Sequence, residues 1–142
     1  MAALLTYKGT VYPWHCDEMG HMNVMWYVGK FDEATRHFFH EIGITPALVR
    51  ETRRGMAAVE QTIQYRRELL AGDIITINSA LLEMKDKSIR FMHDMRKTDT
   101  DEIAATTTLT GVHLDTVTRR ACAFPPAVRE KAATLQQADR MP

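Results

Sequence analysis

The chain predicts an α+β fold in which a five-stranded antiparallel sheet curls around one long central helix. Three observations carry that expectation. Val24 to Ile42 is a single amphipathic run at helical spacing. Four later segments alternate apolar and polar residues at strand spacing, and a fifth strand-like segment precedes the helix. Short polar turns separate the last three strands.

Taken in order, Thr6 to Tyr12 reads as the first strand, ended by Pro13. In the helix, Val24, Tyr27, Val28, Phe31, Ala34, Phe38 and Ile42 form one apolar stripe, with Asn23 suited as N-cap and Gly43 as the stop. Gly29 inside it costs about 1 kcal/mol relative to alanine and is expected to mark close approach of a strand or ligand. Ile44 to Arg54 reads as a connector. From Ala57 to Arg66 the period becomes that of a strand, and Ala71-Gly72-Asp73 is a turn. Ile74 to Leu82, Ile89 to Arg96 and Ile103 to Leu114 complete a meander. Pro125-Pro126 precedes a final short helix, Ala127 to Ala138. A single domain over residues 1–142 is expected, since no repeat, low-complexity segment or linker interrupts this order. One helix leaves much of such a sheet uncovered and its edges unpaired, so self-association is expected.

Composition narrows the function. The chain is 45% hydrophobic and 25% charged, with 18 basic and 18 acidic residues and zero formal net charge. No global field recruits nucleic acid or an anionic membrane, so neither is an expected partner. Two cysteines, Cys16 and Cys122, make no disulfide framework and suit a reducing, cytoplasmic setting. Met1 to Leu5 lacks the basic flank and long apolar core of a signal peptide. No apolar run approaches the ~20 residues needed to span a bilayer.

The richest segment for chemistry is His15-Cys16-Asp17-Glu18-Met19-Gly20-His21-Met22-Asn23, which leads directly into the helix. Backbone N–H groups at a helix start lack intrahelical partners and favour negative charge. A carboxylate placed just before them suits chemistry on a carbonyl: the amides hold a developing oxyanion while the carboxylate attacks or activates water.

With Tyr27 and the strand order, Asp17-Glu18-Met19-Gly20-His21-Met22-Asn23 resembles the hotdog-fold acyl-CoA thioesterases of the 4-hydroxybenzoyl-CoA thioesterase type. That pattern is an aspartate, a glycine three residues later, a GHxN-like segment, and a tyrosine about ten residues past the aspartate. The similarity runs from Thr6 to Pro126, through Gly72-Asp73 and the Asp115…Arg119-Arg120 ending. It implies a hotdog fold with the helix as sausage and the sheet as bun, and a homodimer or homotetramer with its active site at a subunit interface. It implies Asp17 as nucleophile or general base, and helix-start N–H groups near Val24 as oxyanion hole. Some family members carry a histidine where this chain has Val24; here His21 and Asn23 stand nearby instead.

Each residue also has a plainer structural reading. Asp17 could be a turn residue, Asn23 only an N-cap, His21 a hydrogen bonder and Tyr27 a core residue with its hydroxyl near the site. Asp17 qualifies for thioester hydrolysis because an aspartate is ionised at neutral pH without tuning. His15, Cys16, Asp17 and His21 lack the spacing of a structural zinc motif, so no metal is expected, and no cofactor beyond the CoA of the acyl-CoA substrate. Family likeness favours Lys87, Ser88 and Arg90 for the CoA nucleotide; their plainer reading is a solvated face. Trp14 and Trp26, if they face the site, could hold a cationic acyl group of carnitine or betaine type by cation–π contact. Nine methionines read as irregular core filling. Two rivals remain: a hotdog dehydratase of hydroxyacyl thioesters using His21 with Asp17, and a non-catalytic binder of acyl-CoA or acyl-carrier protein.

Overall fold

In chain order the elements are β1 (Leu4–Thr10), a 3-10 turn (Pro13–His15), α1 (Val24–Glu41), α2 (Pro46–Thr52), β2 (Arg54–Tyr65), β3 (Ile74–Met84), β4 (Ser88–Lys97), β5 (Ile103–Asp115) and α3 (Pro126–Arg140). They come from a computed structural model that describes residues 4–140, so the first three residues of the Met1–Leu5 segment lie outside the described residues. Among the described residues no helix is long and apolar enough to cross a membrane.

The expected five antiparallel strands are present, but not as a four-strand meander. The order is β1-β3-β4-β5-β2, so only β3, β4 and β5 follow one another across the sheet. β2 pairs with β5, from Arg54 opposite Asp115 to Tyr65 opposite Ala105, and forms one edge. The cause is the segment after Tyr65, which crosses over instead of turning back. Arg66 and Arg67 N–H both donate to the Ala104 carbonyl, and the Leu69 carbonyl accepts from Met22 N–H. Leu69 is fully buried. The chain re-enters the sheet beside β1, where Val11 N–H donates to the Asp73 carbonyl.

α1 lies on this sheet by its apolar stripe. Tyr27, Phe31, Ala34, Phe38 and Ile42 are buried as expected. Val24 and Val28 are not; both are exposed at the edge of the stripe that faces β2. Phe31 packs with Val11, Leu69, Ile75, Ile77 and Met95, and Phe38 with Phe91, Leu109, Phe124 and Val128. Burying a side chain of this size contributes about 1.5–3 kcal/mol. Gly29 marks no strand approach: a Cβ there would meet only the Trp26 ring, at 4.0 Å. The expected connector after α1 contains α2, started by the Thr45 hydroxyl, which accepts from Leu48 N–H at 3.2 Å, and by Pro46. The final helix starts at Pro126, runs 15 residues and covers the second core cluster with Val128 and Ala132.

A polar chain runs through the core. His93, fully buried on β4, contacts the Thr35 hydroxyl of α1 through Nε2 and the Ser79 hydroxyl of β3 through Nδ1. Ser79 continues to Thr6 on β1 at 2.7 Å. Among the described residues no buried side-chain nitrogen or oxygen lacks a partner. Burial pushes the His93 imidazole down to about 4.

That shift predicts acid sensitivity. An unfolded histidine takes up a proton near pH 6.5, whereas folded His93 resists until about pH 4. Stability is therefore intact above pH 6.5 and falls as the pH drops toward 4, by up to about 3 kcal/mol. Denaturant midpoints at pH 7 and pH 4.5 should show this loss in the wild type and a smaller one in His93→Gln. Equal losses in both would refute the assignment to His93.

Candidate functional site

The site is built on a small hairpin. Cys16 and Met22 pair as an isolated bridge, and Asp17 N–H donates to the His21 carbonyl at 3.2 Å. Gly20 N–H closes the turn onto the Asp17 carbonyl at 3.0 Å. Gly20 has φ +84°, a conformation that strains any residue with a Cβ. Met22 anchors the hairpin in the core, and Asn23 N–H donates to the His15 carbonyl at 2.9 Å. These contacts lay Asp17 beside the first turn of α1.

Asn23 has two roles at once. Its Oδ1 accepts from Met25 N–H at 2.9 Å, the expected N-cap. Its Nδ2 donates to Asp17 Oδ2 at 2.8 Å. The other carboxylate oxygen accepts from Met19 N–H at 2.9 Å. The Asn23 amide, then the Met19 N–H, and the positive field of His21 hold the Asp17 carboxyl below its ordinary value. Both donors bind the charged form, which keeps the carboxylate ionised at neutral pH. Val24 N–H, the next amide along, has no hydrogen-bond acceptor among the described residues.

Around this turn the other sequence-derived residues separate. His21 is partly exposed, 3.8 Å from the Glu68 carboxylate, and lines a cleft of about 310 Å³ with Val24, Tyr27, Tyr65 and Arg66. Tyr27 is buried, and its hydroxyl donates to the Arg67 carbonyl at 3.0 Å. Burial pushes that phenol up to about 12. Tyr27 therefore ties α1 to the crossover after β2 and packs edge-on against Tyr65. Further along α1, a second cleft of about 250 Å³ opens against β2, lined by Val28, Thr35, Phe39, Met56 and Gln61.

Lys87, Ser88 and Arg90 are not brought to Asp17 by this fold. Ser88 starts β4 opposite Val112, and Arg90 lies 3.6 Å from Glu83. The helix start lies over the other end of that strand, near Met95 and Ala105. The Cys16 thiol donates to the Tyr12 carbonyl at 3.8 Å and packs against the core, and Cys122 lies by His113. Among the described residues no three of histidine, cysteine, aspartate and glutamate converge as metal ligands.

Two contributors support the site in ways the sequence does not signal by spacing. The His15 carbonyl holds Asn23, and its buried ring packs on Trp26 with centroids 4.2 Å apart. The crossover through Arg67 and Leu69 forms the floor; its signal is Leu69, the first of two apolar residues after three charged ones.

Comparisons with known proteins agree with this geometry. The thioesterase-like superfamily profile matches residues 11–132. The L-carnitine dehydrogenase/betainyl-CoA thioesterase of Agrobacterium fabrum is 30% identical over 112 residues, 79% of this chain. The chain spans 23% of that relative's length. A Staphylococcus aureus protein solved in complex with CoA superposes with a TM-score of 0.89 at 22% identity, covering 96% of this chain and 87% of that one. The 1,4-dihydroxy-2-naphthoyl-CoA thioesterase of Synechocystis gives a TM-score of 0.83 at 12% identity, covering 94% and 98%. These structural likenesses establish the hotdog fold. With the family profile running from just past β1 into α3, the chain belongs to the thioesterase-like superfamily.

Proposed function

We propose that the chain hydrolyses small or medium acyl-CoA thioesters to the free acid and CoA. One observation carries this reading: an ionised Asp17, held by Asn23, stands beside the unclaimed N–H of Val24 at the start of α1. The thioester carbonyl oxygen would take the Val24 N–H, where the helix dipole adds to the stabilisation of an oxyanion. Asp17 would remove a proton from the attacking water, or attack the carbonyl itself to give a mixed anhydride that water then opens. His21 and Tyr27 would shape the cleft, and CoA thiolate leaves without a strong general acid.

Self-association belongs to the same reading. β2 is an edge strand exposed over most of its length, with Val59 61% exposed, and Val24 and Met25 are bare beside it. A second copy would cover both as a homodimer, with a tetramer as the further step. It also bears on the nucleotide, which we assign to Lys87, Ser88 and Arg90. Within one subunit their strand start is about 20 Å along β4 from the catalytic end. A second copy would have to bring one subunit's β4 start to the other's Asp17. The Agrobacterium relative's name supports a cationic acyl group of betaine type, and two unpaired cysteines support a cytoplasmic setting.

Asp17→Asn should lower kcat for thiol release from acyl-CoAs by about 10²–10⁴-fold while the protein stays folded; a folded variant with wild-type turnover would sink the mechanism. Asn23→Ala should cost about 1 kcal/mol of stability through the lost cap. It also removes the largest contribution to Asp17's lowered pKa, so the acid limb of kcat/KM should move to higher pH. An unmoved limb would show that Asn23 does not tune Asp17. Val59→Asp should shift the mass seen by light scattering toward the monomer, and an unchanged mass would exclude β2 as the contact.

A further inference from the structure

A third cleft, of about 440 Å³, lies between β1 and α1 on the side of the helix away from β2. Its floor holds Lys30, which is 5% exposed. The Lys30 ammonium donates to the Tyr7 hydroxyl at 3.1 Å and the Thr10 carbonyl at 3.4 Å, both neutral oxygens. Among the described residues no carboxylate comes within 4.0 Å of it. One wall is aromatic: Tyr12 and Trp14 stack with centroids 4.6 Å apart and planes 5° from parallel, and Trp26 stands behind His15. Tyr12 and Trp14 are nevertheless 46% and 67% exposed, a large apolar face left open to solvent. Glu33 stands at the rim, one turn beyond Lys30.

We infer that this cleft binds a small zwitterionic ammonium carboxylate, with its carboxylate on Lys30 and its cationic group on the Tyr12–Trp14 wall beside Glu33. Charge decides the ligand class. A simple anion meets the Lys30 ammonium but also the Glu33 carboxylate. A simple cation meets the aromatic faces and Glu33 but is opposed by Lys30. Only a ligand carrying both charges satisfies both groups, and the exposed aromatic faces favour a bulky, weakly hydrated cation. His15 adds no competing charge at neutral pH, because burial and then Lys30 hold its imidazole below its ordinary value. Burial likewise disfavours the charged form of Lys30, and a bound carboxylate supplies the counter-charge that Tyr7 and Thr10 do not.

The cleft is separate from the catalytic turn but joined to it. Asp17 and Val24 do not line it, whereas His15 lines it and also holds Asn23. In the hydrolytic reading, on which this sense rests, the free acid released from a cationic acyl thioester is itself such a zwitterion. The thioester is not, since its carboxyl is masked, so the cleft would distinguish product from substrate.

Trp14 and Trp26 are the two tryptophans of the chain, so intrinsic fluorescence reports this wall directly. The full chain is titrated with trimethylglycine, and separately with tetramethylammonium and acetate, each carrying half of the recognised chemistry. The expected result is a saturable change with trimethylglycine at a midpoint about tenfold or more below that of either half. Lys30→Met should raise the midpoint about tenfold. Exposed Glu33→Gln should raise it too, and serves if Lys30→Met does not fold. A half-probe that binds as well as trimethylglycine, midpoints unmoved in both variants, or no saturable change would overturn the inference. No CoA thioester is present, so its failure is separate from any failure of thiol release.

Discussion

The Asn23 carboxamide is the contact on which the site depends. Its oxygen starts α1 and its nitrogen holds Asp17, so one side chain joins the helix start to the carboxylate. An N-cap alone could be serine, threonine or aspartate with little loss. None of these both caps through oxygen and donates from nitrogen to a carboxylate; aspartate would add a like charge beside Asp17. The geometry therefore narrows a permissive structural position to one residue type. His15 and Leu69 support it from below, through backbone bonds to Asn23 and Met22.

Much of this was legible in the chain. The helix, its cap and its glycine stop follow from spacing and end chemistry, and the strands from alternation. Alternation alone places Ile89, Phe91, His93 and Met95 on one face of β4, and all four are buried. Strand pairing was not legible, because periodicity says which face a residue takes but not which neighbour a strand chooses. β2 goes to the far edge through bonds made by Arg66, Arg67 and Asp73, none of which carries a pattern. α2 did leave a signal, Thr45 before Pro46, but seven residues are too few for helical periodicity to stand out. Lys30 was hidden because a lysine among helix residues reads as solvated; its burial depends on β1 folding over it.

The two sides of α1 also divide the molecule's chemistry. Toward β2 lie the Asp17 turn and a mostly apolar groove; toward β1 lies the cleft with its aromatic wall and the buried Lys30 ammonium. Gly29 lines both clefts, and its missing side chain leaves the helix ridge low between them. A larger residue there would raise that ridge without touching any core contact.

The edge position of β2 has a kinetic meaning as well. Its partner β5 lies far along the chain, with Arg54 opposite Asp115, whereas β3, β4 and β5 close through short local turns. Contacts between distant segments are costly to form early, because the loop entropy must be overcome first. On that ordering the hairpins of β3 to β5 assemble before β2 docks. The Tyr65 wall of the His21–Tyr27 cleft thus arrives late, and a nascent chain cannot complete it until β5 has been synthesised.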